Sequence, residues 1–108
     1  RLRALLTRTA AAGRYVAAIC AAPKVLANAG LLDNRKATSF PGVLDALVVP
    51  GMGYREDAVV QDGKLITSRG PGTAMDFALA LIENLAGRDK RNQVEAALQR
   101  PLHHMTAA

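Results

Sequence analysis

Along the chain the spacing of apolar positions changes from helical to extended and back, and each change marks an element. The opening "RLRALLTRTAAAG" sets Leu2, Leu5 and Leu6 at helical spacing among arginines, which predicts a helix over 1–12 stopped by Gly13. "RYVAAIC" is apolar without alternation, the pattern of a short strand buried on both faces. From Ala22 to Ala29 the spacing is helical again: Pro23 suits a first turn, Val25, Leu26 and Ala29 recur on one face, and Gly30 ends it. "DNRK" reads as a turn, "KATSF" as a short strand before Pro41, and "GVLDAL" as one or two helical turns. "VVPGMGYRED", rich in Gly and Pro, reads as a loop.

Downstream, "DAVVQDGKLITSRG" predicts a β-hairpin, with two β-branched runs flanking Asp62-Gly63. "GPGTAMDFALALIENLAG" carries Phe77, Leu81 and Leu85 at i, i+4 and i+8; Thr73 or Gly72 caps this helix, Asp76 lies in its first turn and Gly87 stops it. "RDKRNQVEAALQ" predicts a last, more polar helix, and 101–108 a flexible tail. Strands alternating with helices predict an α/β sandwich around a mostly parallel sheet. Only one strand is clearly of the doubly buried kind, so the chain reads as the second half of such a domain.

Composition narrows the class. The 108 residues make one domain at most. Half are apolar, yet only two Phe and two Tyr are present, so the core is built from Ala, Leu, Val and Ile. A single cysteine excludes an internal disulfide and a multi-cysteine metal site, and points to a reducing compartment, the cytoplasm. No apolar run has the length of a membrane-spanning helix, since Pro23, Lys24 and Asn28 interrupt the longest one.

The net charge of +5 is unevenly placed: Arg1, Arg3, Arg8 and Arg14 meet no acid before Asp33. Such a start fits a mitochondrial targeting segment or a surface helix. It runs straight into a strand through Gly13, which favours the helix. A basic chain also invites a nucleic-acid reading, but the later charges alternate in sign and few aromatics are available for stacking.

The candidate chemistry gathers at Cys20, where the first strand meets the second helix. A sharp strand-to-helix turn lifts its corner residue into solvent and requires small neighbours two positions away on either side. Ala18 and Ala22 meet that requirement around Ile19-Cys20-Ala21. A thiol at a helix N-terminus gains from unpaired amides and the helix dipole, which favours the thiolate. The Ala21 N–H is placed to donate to an oxyanion. The alternative is an inert, small core residue; the corner placement with small flanks favours the functional thiol. "SRGPGT" (68–73) is weighed in the same way. Its glycines suit either a phosphate cradle or a tight turn that starts a helix, and the spacing matches neither the dinucleotide nor the P-loop pattern, which favours the turn. Arg69 within it either pairs across an interface or is solvated. His103 and His104 read as solvated tail residues rather than a metal pair or general base.

"AAICAAP" followed by "DGKLITSRGPGTAMDFALALIENLAG" resembles the ThiJ/PfpI superfamily, and within it the branch holding Parkinson disease protein seven and bacterial YajL. The match runs from about Tyr15 to Leu98. The resemblance implies a flavodoxin-like three-layer sandwich, of which 1–108 is the C-terminal part of a single domain. It also implies a homodimer, no cofactor and no metal, and Cys20 as the reactive cysteine. Phe40, Pro71 and Gly72 would line the cysteine pocket.

Two departures sharpen the branch. Protease-like relatives carry His directly after the cysteine, where this chain has Ala21, so a Cys-His hydrolase is not expected. Some close relatives carry His before the proline matching Pro41, where this chain has Phe40. The family's proton-sharing glutamate and a glycine amide of its oxyanion hole come from the half of the domain before Arg1; none of Asp33, Asp45, Glu56 or Asp57 matches that glutamate's motif.

Three functions follow as expectations. The first is a cofactor-independent glyoxalase or deglycase acting on methylglyoxal, glyoxal or their early adducts on proteins and nucleotides. The second is an oxidative-stress sensor or redox-regulated chaperone using the same cysteine. The third is an inactive fragment whose exposed sheet edge pairs with another copy, unless the preceding half arrives as a separate chain.

Overall fold

The computed structural model describes residues 1–101, so all but Pro101 of the predicted tail at 101–108, with His103 and His104, lies outside the described residues. The chain divides into two units, Arg1–Phe77 and Ala78–Ala108.

The first unit begins with α1 (Leu2–Ala11), which leads through Gly13 into β1 (Val16–Ile19). A short α2 (Pro23–Asn28) follows with proline in its first turn. The chain then passes through β2 (Lys36–Ala37), a 3-10 turn at Leu44–Ala46, and β3 (Gly53–Tyr54). β4 (Val59–Asp62) and β5 (Leu65–Ser68) form the hairpin. A single 3-10 turn, Pro71–Thr73, opens α3 (Ala74–Ala86).

Two sheets result. In one, β5 lies between β1 and β4, parallel to β1 (Val16 opposite Leu65, Ile19 opposite Ser68) and antiparallel to β4 (Asp62 opposite Leu65). In the other, β2 pairs in parallel with β3, Lys36 opposite Gly53. The mixed α/β architecture therefore matches the sequence expectation, with β4 as the antiparallel member.

Three details differ from that expectation. The strand buried along its whole length is β5, flanked on both edges, whereas β1 alternates: Val16 and Ala18 are buried and Ala17 is exposed. β1 is an edge strand among the described residues, with β5 as its one neighbour. Gly53 and Tyr54 form a strand inside the segment read as a loop, because the Arg35 and Ala37 carbonyls accept from the Gly53 and Arg55 N–H groups at 2.9 Å each. The hairpin loop is Gly63-Lys64 rather than Asp62-Gly63, since Asp62 still pairs with Leu65. Gly63 has φ +61 and Lys64 does not share a positive φ, the arrangement in which a glycine at the first loop position matches the twist of the strands.

The core of this unit is aliphatic, as the composition requires. Val16, Ala18, Leu26, Leu32, Ala37, Leu44 and Leu65 form one buried cluster, with Leu6, Leu31, Leu47, Val49, Met52 and Tyr54 packed against it. α1 contributes only Leu6 to this packing and leaves Leu2 and Leu5 exposed. The second unit contains most of α3 and all of α4 (Arg88–Leu98), separated by Gly87 at φ +97. Among the described residues no helix is long and apolar enough to cross a membrane.

Candidate active site

β1 and β5 run side by side to the same carboxyl end, and Cys20 is the first residue beyond β1 there. Its φ is +67, in the left-handed region that a residue with a side chain enters only when its surroundings hold it there. This is the corner of the predicted elbow. The Cys20 N–H donates to the Ser68 carbonyl at the end of β5 (3.1 Å), and the Cys20 carbonyl accepts from the Phe40 N–H (2.8 Å). The residue is thus held from both sides of its own peptide, while it stays partly exposed as a free thiol.

The turn after Cys20 is closed by its own backbone. The Ala22 N–H donates to the Ile19 carbonyl, Lys24 to Ala21 and Val25 to Ala22 (3.1, 3.2 and 2.9 Å), and Pro23 has no N–H to offer. The expectation of several unpaired helix amides around the thiol therefore reduces to one. Among the described residues the exposed Ala21 has an N–H with no hydrogen-bond partner, adjacent to the thiol.

The "SRGPGT" loop is consumed by its own contacts. Thr73 Oγ1 accepts from the Arg69 and Gly70 N–H groups (3.2 and 3.1 Å) and lies 2.7 Å from Ser68 Oγ, which in turn donates to the Ala58 carbonyl at 2.6 Å. Two of the amides that a phosphate cradle would need are therefore occupied, and the tight-turn reading holds. Thr73 organises the loop.

Gly70 has an extended backbone that any residue adopts; its constraint is a neighbour. A Cβ there would stand 3.2 Å from Phe40 Cδ1, so the Phe40 ring lies directly over the glycine. Phe40, 47% exposed, is thereby joined to both motifs, to Cys20 by its N–H and to Gly70 by its ring. Pro71 and Gly72 are exposed on the same loop.

Arg69 was expected at an interface or in solvent, and the structure corrects this. Its side chain is 18% exposed and reaches two other segments of its own chain, one at Ser39 and one at Tyr54 and Glu56. Nε donates to the Ser39 carbonyl (3.1 Å), one terminal nitrogen to the Glu56 carbonyl (3.2 Å) and the other to Tyr54 Oη (2.9 Å). Sequence reading missed this role because the partners are two backbone carbonyls and a tyrosine in the segment taken for a loop.

The carboxylates stand elsewhere. Asp45 Oδ1 accepts from the Gly42 N–H (2.7 Å), Glu56 is exposed beside Arg69, and Asp33 and Asp57 are exposed. Among the described residues no three His, Cys, Asp or Glu side chains gather as a metal site. What the corner offers is a partly exposed thiol and one free N–H beside it, a set suited to nucleophilic addition to a carbonyl.

Known proteins carry the same arrangement of elements. The sequence matches the DJ-1/PfpI family over residues 1–84, so the likeness begins at α1, upstream of Tyr15. Protein dj-1beta of Drosophila melanogaster is 46% identical over 94 residues, which cover 87% of this chain and 50% of the relative. Its crystal structure superposes with a TM-score of 0.85 at 44% identity, covering 93% of this chain and 54% of that one. A Caenorhabditis elegans protein named glutathione-independent glyoxalase DJR-1.2 is 39% identical over 90 residues, 83% of this chain and 48% of the relative. The chain spans about half the length of these relatives. With the strand-to-helix cysteine corner, the hairpin and the Gly-Pro-Gly loop all in place, the chain belongs to the DJ-1/PfpI family.

Proposed function

We propose that this chain carries the nucleophilic half of a cofactor-independent glyoxalase or deglycase site. The observation that supports this most is the held, left-handed Cys20, with the Ala21 N–H free beside it. The relative named as a glutathione-independent glyoxalase supports the same reading.

In this mechanism the Cys20 thiolate adds to the aldehyde carbon of methylglyoxal. A C–S bond forms, the carbonyl π pair moves to oxygen, and the Ala21 N–H donates to the resulting alkoxide. The hydrogen on that carbon then leaves as a proton and returns at the neighbouring carbon, so the first carbon is oxidised and the second reduced within one molecule. The product is a thioester. Water cleaves the C–S bond and releases lactate and the free thiolate; glyoxal gives glycolate by the same route. The net change is the addition of one water, so no external oxidant or reductant enters. The family resemblance assigns the proton shift to a glutamate in the preceding half of the domain. Early adducts of these aldehydes on amines and thiols enter the same route once the hemiaminal or hemithioacetal releases its amine or thiol and the free aldehyde carbon returns.

The test is to incubate the chain with methylglyoxal in the absence of glutathione, alone and together with a polypeptide supplying the preceding half. A one-aldehyde mass adduct on Cys20 is expected in both samples, and lactate only in the second. Cys20→Ser should abolish the adduct and lower lactate formation by roughly 100-fold or more. An intact Cys20 that takes up no aldehyde in either sample overturns the proposal. Peroxide-driven sulfenic or sulfinic acid at Cys20, without aldehyde consumption, would favour the redox-sensor reading instead.

A further inference from the structure

Cys20 sits in a left-handed backbone conformation, φ +67, which in a residue with a side chain is held by its surroundings. The surroundings form a closed ring. From the Cys20 N–H the path runs to the Ser68 carbonyl, along the chain to Arg69, through its Nε to the Ser39 carbonyl, and along the chain to Phe40, whose N–H returns to the Cys20 carbonyl. Every link but one is backbone. The single side-chain link is the Arg69 guanidinium, which is fixed in turn by the Glu56 carbonyl and Tyr54 Oη, with the Tyr54 ring 5.9 Å from its centre.

We infer that Arg69 is the positioning residue of the Cys20 corner: its guanidinium ties the Ser39–Phe40 segment to the end of β5, and so holds Cys20 in its left-handed conformation with the thiol and the Ala21 N–H presented together. A planar, always-charged fork suits this task, because one group satisfies three oxygens on two segments, Ser39 on one and Tyr54 and Glu56 on the other, with fixed angles between them. A lysine reaches one of them as a point charge. The three anchors also explain why a cation is tolerated at low exposure next to the site: its donors are taken by two carbonyls and a hydroxyl, and Glu56 Oε2 stands 4.0 Å away. Arg69 acts on the corner through Ser39 and Phe40, and no role in touching substrate is assigned to it.

The inference deepens the aldehyde reading in that it concerns the same cysteine, but its primary readout is conformational. The experiment compares the wild-type chain with Arg69→Ala, Arg69→Lys and Tyr54→Phe, and uses Arg35→Ala as a control. Arg35 also bridges two segments, donating to the Asp62 carbonyl at 2.5 Å, but stands outside the ring. The left-handed φ of Cys20 is read from its NMR coupling constant and Cα and Cβ shifts. The rate of aldehyde addition to Cys20 is read by mass spectrometry.

Arg69→Ala is expected to lose the left-handed signature and to slow addition by about 10-fold or more, as for a reacting group shifted from its place. Arg69→Lys should fall between Arg69→Ala and wild type, and Arg35→Ala should keep the wild-type signature whatever it does to the melting temperature. Tyr54→Phe removes one anchor and no core atom but the hydroxyl; it should show the same shift in smaller degree, and it carries the test if Arg69→Ala fails to fold. A wild-type signature in Arg69→Ala, or in Tyr54→Phe if that variant must serve, overturns the inference. A wild-type chain that shows the signature but adds no aldehyde overturns the proposed activity alone, and leaves the clamp to be judged by the conformational readout.

Discussion

Thr38 is fully buried, and among the described residues its hydroxyl oxygen has no hydrogen-bond partner, although its own N–H donates to Thr67 Oγ1 at 2.9 Å. A buried hydroxyl without a partner keeps the cost of leaving water and gains nothing in return. Thr38→Val replaces it by a methyl group of similar size and leaves the backbone bond intact. The variant should be more stable by about 1 kcal/mol, seen as a higher urea midpoint with an unchanged slope; a lower midpoint would mean that the hydroxyl has a partner in solution. Cys20 and Arg69 show how unevenly single residues can be read from sequence. The small flanks of Cys20 are local, and a sharp turn follows from them. The partners of Arg69 lie 13 to 30 residues away in sequence and are mostly carbonyls, which every residue carries, so no side-chain pattern announces them.

At the scale of elements, the β4–β5 hairpin is the part most tightly specified by short-range sequence, and it is also tied to β2. Asp62, at its turn, accepts from the Lys36 N–H through Oδ2 (2.9 Å), with Arg35 Nε 3.5 Å from the same oxygen. The Lys36 N–H, and after it the Arg35 charge, hold the Asp62 carboxyl below its ordinary range despite the opposing effect of partial burial. A lowered folded value means that the unfolded chain binds the proton more readily. The contribution of Asp62 is therefore complete above the ordinary aspartate range and is lost as the pH falls through the lowered folded value. Asp62→Asn should be less stable than wild type near neutrality, and the two melting curves should converge as the pH drops below the ordinary aspartate range. A gap that persists at low pH would show that the loss comes from hairpin geometry rather than charge. The element missed by the periodicity, β3, is two residues long. A strand that short has no period to detect, and it exists because β2 offers it a parallel edge.

At the scale of the whole molecule, the two units hold themselves together by different means. The first has an aliphatic cluster. The second carries an ion network: Arg91 lies 3.3 Å from Glu83 and 3.0 Å from Glu95, and Arg100 3.2 Å from Glu95, with the Arg91 and Glu95 side chains only 9% and 3% exposed. Glu95 is the carboxylate that Arg91 and Arg100 share, and removing it leaves Glu83 facing Arg91, at a cost toward the lower end of the roughly 3–5 kcal/mol for breaking a buried pair. Glu95→Ala should therefore lower the stability of this unit by about 3 kcal/mol, measured by denaturant unfolding followed through helical circular dichroism. A change below about 1 kcal/mol would mean that water reaches the network.

Most of the elements and the family were set by the sequence itself: helix spacing in α1 to α4, the hairpin, the aliphatic core and the cysteine corner all rest on residues within a few positions of one another. Tertiary structure alone decided which strand is buried on both faces, that Gly53-Tyr54 pairs with β2, that the Ala21 N–H is the one left free, and that Arg69 closes a ring around Cys20. The division has a physical cause. Propensity, turn geometry and amphipathic spacing act over one or two turns of chain and leave a local imprint. Strand partners and carbonyl acceptors are chosen among groups common to every residue, and only the packed chain says which of them meet.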